Sequence, residues 1–154
     1  MKKIVAGALG LLFGATTAAG AGEDYAATQA AFLAANAKKA GWGSTSSGLQ
    51  FHAIKKAAAT AKQAMPESTV TVNYEGKLTN GKIFDSSFER KEPISFPLGA
   101  VIQGWQEGVP MMKVGEMWEF AIPSEIGYGP RGAPPDIPGG AVLLFRIELL
   151  DVKP

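Results

Sequence analysis

The sequence predicts an α+β domain, a curved antiparallel sheet wrapped on one short helix, with a second helix ahead of it. Three observations carry that expectation. Val70, Val72 and Tyr74 alternate with Thr71, Asn73 and Glu75, the period-two pattern of a half-buried strand. Thr79-Asn80-Gly81-Lys82 contains the Asn-Gly pair that supplies positive φ in a tight hairpin. Trp105, Val109 and Met112 fall at i, i+4 and i+7, on one face of a short helix lying between strand-like segments.

The elements follow in order. Glu23 to Lys39 reads as one helix, because its alanines have high helix propensity. Tyr25, Gln29, Phe32, Leu33 and Asn36 give it a partly apolar face. Glu23 and Asp24 at its start and Lys38 and Lys39 at its end suit the helix dipole, and Gly41 is a C-terminal stop. Trp42 to Gly48 is a Gly/Ser/Thr loop. Leu49, Phe51 and Ala53 alternate with Gln50 and His52 and read as a strand. Lys56 to Pro66 is alanine-rich and polar, either a short helix or a loose loop.

Beyond the first hairpin strand, Ile83 and Phe84 open the return strand. Ser86 to Glu92 is a charged connection, and Ile94, Phe96 and Leu98 resume alternation. The helix from Gly104 to Met112 tolerates Pro110 only because it is short. Lys113 to Glu116 is a turn, Met117 to Ile122 a strand, and Ala141 to Val152 a long final strand. Between those two lies a Gly/Pro-dense loop, Gly127 to Gly140. Loops this long in compact domains are usually functional or disordered, and Tyr128 and Ile137 favour the first. There is no internal repeat.

Composition excludes several functions. At 154 residues the chain fits one domain with short extensions. A net charge of +1 with no Lys/Arg block argues against nucleic acid as a partner. With no cysteine there is neither a disulfide nor a thiolate nucleophile, and one histidine, His52, cannot build a His-based metal site. We expect no metal and no cofactor.

The N-terminus has the form of an export signal. Lys2 and Lys3 precede an apolar run from Ile4 to Ala15, and Ala19-Gly20-Ala21 fits a signal-peptidase site. Cleavage is expected after Ala21, with Thr17-Ala18-Ala19 as the second choice and the periplasm as the destination. The rival is an uncleaved anchor, but the stretch barely reaches the ~20 residues that a spanning helix needs. The expected division is residues 1–21 signal peptide, 22–48 helix and linker, and 49–154 the main domain.

The aromatic and aliphatic residues between Val70 and Phe145, set in turn chemistry, make one apolar pocket if their segments converge. It would hold Tyr74, Phe84, Asp85, Phe96, Val101, Ile102, Trp105, Tyr128, Ile137 and Phe145. One carboxylate and two phenols in such surroundings do not suit metal or nucleophilic chemistry. They suit holding an apolar side chain or a proline ring. Read singly, Trp105, Phe96 and Phe145 are simply core aromatics, and Asp85 starts a turn before Ser86-Ser87.

YEGKLTNGKIFDSS, FPLGAVIQGWQEGVPMMKVGE and IPSEIGYGPRGAPPDIPGGAVLLFRIELL resemble the FKBP-type peptidyl-prolyl cis–trans isomerases. The resemblance runs from about Val70 to Val152. The segment upstream is similar to the exported bacterial subgroup that includes the macrophage infectivity potentiator, without most of that subgroup's long helical region. The resemblance implies five or six antiparallel strands around a short helix and a shallow pocket for the proline of an Xaa-Pro peptide. It implies Trp105 as pocket floor, and Tyr74, Phe84, Phe96, Val101, Ile102 and Phe145 as walls. Tyr128 and Ile137 would overhang from the loop, with Asp85 at the rim, paired with Arg90. The Ile102 N–H would bind a substrate carbonyl, and Asp85, Tyr128 and Phe145 would carry the rotation.

Implied partners are unfolded or flexible proline-containing polypeptides and macrolide inhibitors. The protein would be a monomer or a dimer through the N-terminal helix. The alternative function is a catalytically weak periplasmic chaperone or proline-peptide binding module. A holdase would need a larger exposed apolar surface than this short helix offers. Ala133 stands where many relatives carry histidine, and Asp136 where several carry an apolar residue.

Overall fold

The computed structural model describes the backbone of residues 19–154 and the side chains from Asp24 onward. The expected signal peptide lies almost wholly outside the described residues. The described chain opens with α1 (Ala19–Ala37) and continues through a seven-stranded antiparallel sheet. Its strands are β1 (Gly43–Ser44), β2 (Gln50–Lys55), β3 (Thr69–Lys77), β4 (Ile83–Ser86), β5 (Ile94–Pro97), β6 (Met117–Ile122) and β7 (Leu143–Lys153). Strand order is β1-β2-β6-β7-β3-β4, with β5 also pairing with β3. The two-residue β1, in a stretch that reads as loop, adds a short strand to the five or six implied.

The inward faces of β3 and β7 alternate as the sequence predicts. Val70, Val72, Tyr74 and Gly76 are buried along β3, and Leu143, Phe145, Ile147 and Leu149 along β7. The alternation in β7 breaks at Leu150, because the register with β3 shifts there: Thr71 faces Asp151 but Val72 faces Leu149. This bulge leaves Leu150 exposed and returns Val152 to the core.

The central helix α3 (Gln103–Gly108) lies on the inner face and ends earlier than expected. Pro110 lacks the N–H that would continue it, so Val109–Met111 tightens into a 3-10 turn. Gly104 and Gly108 let α3 approach closely: a Cβ on Gly104 would sit 2.6 Å from Ile122, and one on Gly108 2.7 Å from Phe120.

The Ser86–Glu92 connection contains α2 (Ser87–Arg90), a single turn capped by Ser86, whose Oγ accepts from the Glu89 N–H. The Lys56–Pro66 segment is a loop, not a helix, but it is pinned rather than loose. Ala64 N–H donates to the Met112 carbonyl and Val114 N–H to that of Lys62. The buried Glu116 carboxylate accepts from the Ala57 and Lys113 N–H groups and from the Trp118 indole.

α1 ends at Ala37, so Lys38 and Lys39 lie just past it, and its start at Ala19 takes Glu23 out of the first turn. The helix docks on its own domain through polar side chains. Gln29 accepts from the Val142 N–H and donates to Thr79 Oγ1, while Asn36 donates to Gln50 Oε1 and Gln50 Nε2 to the Leu33 carbonyl. Gln29, Asn36 and Gln50 are all buried, and these bonds satisfy them. Tyr25 packs against the core. Among the described residues, no helix is long and apolar enough to cross a membrane.

Candidate active site

β3 presents Tyr74 toward α3, β5 presents Phe96, β7 presents Phe145, and α3 supplies Trp105. The Trp105 ring meets Tyr74, Phe96 and Phe145 edge-on at centroid distances of 5.4, 5.6 and 5.3 Å. Edge-to-face pairs favour the positive ring edge against the negative ring face, at about 0.5–1.5 kcal/mol each beyond area burial. Trp105, with three such partners, is the centre of the cluster. Phe84 meets Phe145 edge-on at 5.7 Å.

The other expected members belong to the same hydrophobic core. Val101 and Ile137 are buried in this core, and Ile102 and Tyr128 pack against it. Val101 and Ile102 lead into α3, with Ile102 as its N-cap residue. Ile137 is fixed within the long loop by two backbone hydrogen bonds with Ala133, and Gly140 N–H closes the loop onto the Gly129 carbonyl at 2.9 Å.

Asp85 lies deeper than a rim position, with only 4% of its side chain exposed. It accepts from the Tyr74 hydroxyl and from Arg90 Nη1, the latter at 2.6 Å. α2 is what delivers Arg90, since one capped turn after Asp85 brings position 90 back over it. Asp85 and Arg90 form a largely buried pair. Burial, followed by the hydrogen bond to Asp85, holds the Tyr74 phenol well above the usual tyrosine range. Burial raises Tyr128 in the same way, with Tyr74 and Asp85 as its electrostatic neighbours. Both phenols therefore stay protonated at any ordinary pH.

Two buried donor atoms have no hydrogen-bond partner among the described residues, Trp105 Nε1 and Arg90 Nη2, and both belong to this cluster. Unpaired buried donors are rare enough that each calls for a reason. Among the described residues, no three His, Asp or Glu side chains gather closely enough to hold a metal ion. A separate cleft of about 250 Å³ lies between α1 and the outer sheet face. Charged residues of both signs line it, Lys39, Glu75, Lys77, Glu119 and Arg146 among them, and it shows no convergent chemistry.

Two positions in the site went unread in the sequence. Ser87 is fully buried, and its hydroxyl accepts from the Tyr74 N–H at 2.8 Å and donates to Asn73 Oδ1. Gly76 lets the Phe84 and Phe145 rings meet, since a Cβ there would lie 2.7 and 2.6 Å from them. A glycine inside a regular strand is the signal that could have found it. Gly76→Ala should cost about 1–3 kcal/mol by overpacking. A thermal melt checks this; a variant that melts with the wild type would mean that the rings can part freely.

Comparison with known proteins decides the family. The model of the FKBP-type peptidyl-prolyl cis-trans isomerases matches residues 60–150. The chain belongs to that family. This FKBP-type chain is 46% identical over 132 residues to the FKBP-type 22 kDa peptidyl-prolyl cis-trans isomerase of Escherichia coli, covering 84% of this chain and 62% of that one. It is 43% identical over 123 residues to the peptidyl-prolyl cis-trans isomerase Mip of Coxiella burnetii, covering 80% and 53%. Among solved structures, FkpA from E. coli aligns with a TM-score of 0.78 at 40% identity, covering 86% of this chain and 62% of that one. A peptidyl-prolyl cis-trans isomerase from Pseudomonas syringae aligns with a TM-score of 0.79 at 31% identity, covering 92% and 100%. The chain thus spans roughly half to two thirds of the length of the curated relatives named here.

Proposed function

We propose that this FKBP-type protein is a peptidyl-prolyl cis–trans isomerase acting on Xaa-Pro bonds of exported polypeptides, with the aromatic cluster around Trp105 as its proline site. The observation that carries the reading is an apolar aromatic cluster with an unspent backbone donor beside it, the N–H of the half-buried Ile102, which has no partner among the described residues. Trp105 Nε1 and Arg90 Nη2 are unpaired too, but they are buried inside the cluster. The one carboxylate, Asp85, is already engaged by Tyr74 and Arg90. Such a site offers a donor to a carbonyl and little to bases or metals.

Rotation about the Xaa-Pro bond faces a barrier of about 18–20 kcal/mol, set by amide resonance. No bond to the protein is required. Trp105 forms the floor on which the proline ring rests, with Tyr74, Phe84, Phe96, Val101, Ile102 and Phe145 as walls and Ile137 above. Water is kept from the prolyl amide, whose planar form is the more polar one, and this favours the twisted form. The Ile102 N–H holds a flanking carbonyl, and Tyr128, with its proton retained, is suited to donate to another. Gripping the ring and the flanking backbone in different orientations binds the twisted amide better than either planar one, which lowers the barrier. Asp85 fixes Tyr74 rather than moving a proton. Macrolide inhibitors would compete for the same cluster.

The test is catalysed cis-to-trans isomerisation of a short Ala-Leu-Pro-Phe peptide, with Phe145→Tyr alongside the wild type. Wild-type acceleration that drops in the variant supports both the activity and the site. A folded protein without acceleration overturns the activity.

Export is part of the proposal. When the full chain is expressed in a Gram-negative host, the periplasmic fraction should contain a protein beginning at Gly22, as read by intact mass. Full-length protein held in the membrane fraction would contradict cleavage. The mature protein should sediment as a monomer, because the packed face of α1 is engaged with its own sheet through Gln29 and Asn36.

A further inference from the structure

We propose that Gln106 is a positioning residue that sets the direction and strength of the Ile102 N–H as a donor to the substrate carbonyl. This rests on the reading under "Proposed function" that the Ile102 N–H receives that carbonyl. The local geometry has three parts. Ile102 is the N-cap residue of α3 but has no side-chain acceptor for the first turn. Its carbonyl accepts from the Trp105 and Gln106 N–H groups at 3.0 and 3.1 Å. One residue earlier, the Val101 carbonyl accepts from Gln106 Nε2 at 2.8 Å. Gln106 therefore grips both sides of the Ile102 residue, once with its backbone and once with its side chain.

The consequence follows from the planarity of the peptide bond. The Val101 carbonyl and the Ile102 N–H belong to one trans peptide and point in opposite directions across it. Holding the oxygen on the Gln106 side turns the N–H away from α3. A hydrogen bond accepted by the oxygen also polarises the peptide and makes its N–H a better donor. Only a donor at position 106 can do this, so the glutamine amide suffices where a glutamate carboxylate would repel the oxygen. Gln106 is exposed, and its side chain makes no other hydrogen bond among the described residues. Packing therefore does not explain it.

The experiment compares wild type, Gln106→Leu and Gln106→Glu in the mature protein. Two quantities are read: kcat/KM for the Ala-Leu-Pro-Phe peptide, and the movement of the Ile102 amide proton resonance as that peptide is titrated. Losing one hydrogen bond of ordinary worth corresponds to a fall of about 3–10-fold in kcat/KM. Gln106→Leu should show that fall and a reduced Ile102 shift at saturation, and Gln106→Glu should fall at least as far. Thermal melts should stay close to wild type, since the position is exposed. If wild type isomerises the peptide with a responsive Ile102 amide and both variants match it, the role of Gln106 is overturned alone. If wild type neither isomerises the peptide nor shows an Ile102 response, the reading beneath it fails too.

Discussion

Asp85→Leu should lower kcat/KM for a prolyl peptide by about 30–100-fold, corresponding to a loss of about 2–3 kcal/mol of transition-state stabilisation. Asp85 touches two groups that shape the cluster, the Tyr74 hydroxyl and Arg90. Without it Tyr74 loses its anchor and the wall beside Trp105 can shift. Stability should fall as well. Removing one partner of a buried ion pair typically costs about 3–5 kcal/mol, because the other charge is left stranded. Here the lower end applies, since Arg90 is 24% exposed and can turn partly into water.

The double variant separates the two effects. Replacing a buried pair by apolar groups on both sides is often neutral or stabilising. Asp85→Leu with Arg90→Leu should therefore regain most of the stability, while activity stays low because Tyr74 is still unanchored. Chemical denaturation and peptide kinetics on the three variants check this. Additive stability losses would mean that Asp85 and Arg90 act independently. Restored activity would mean that Asp85 serves only to neutralise Arg90.

The second large effect is on folding. Glu116→Gln should destabilise the protein by about 3 kcal/mol at pH 7, or roughly 10 °C in melting temperature. The Glu116 carboxylate is buried, and burial alone would raise its pKa. The Ala57 and Lys113 N–H groups, the Trp118 indole and the nearby Lys56 outweigh burial and leave it below the usual glutamate value. Glutamine keeps one oxygen and presents an N–H₂ group where donors already point.

The pH dependence has a definite sign. The folded-state pKa of Glu116 lies below the usual glutamate value, so its contribution is present above that usual value. It is lost as pH falls through the folded pKa. The gap between wild type and Glu116→Gln should be widest near neutrality and narrow as pH falls through the lowered Glu116 pKa. Parallel melts across pH 3–8 read this directly. A gap that does not narrow in acid would mean that the charge of Glu116 contributes nothing.

Much of the fold was legible because its signals are local. The alternation of β3 and the Asn80-Gly81 turn depend on neighbours within a few residues, and both are present; Trp105, Val109 and Met112 are all buried, although α3 itself ends at Gly108. The aromatic part of the cluster was legible from the ordered pattern of the family, and Tyr74, Phe96 and Phe145 do meet the Trp105 ring. α2 was missed although Ser86 and Glu89 have capping-box spacing, because its charged residues read as a connection.

Other features depend on long-range partners that no local pattern shows. The strap of α1 across the domain needs the Val142 N–H, 113 residues from Gln29. The Leu150 bulge arises from pairing with β3. Glu116 reads as part of a turn until Ala57, 59 residues away, donates to it. The burial of the Asp85–Arg90 pair likewise shows only in the assembled fold.

The most direct test of the central claim is the rate of cis-to-trans conversion of the Ala-Leu-Pro-Phe peptide with the mature protein, against the uncatalysed rate. Uncatalysed conversion takes tens to hundreds of seconds at 25 °C. The account predicts acceleration proportional to protein concentration, lost on adding a macrolide that fills the Trp105 cluster. A correctly folded protein that leaves the rate unchanged would contradict it.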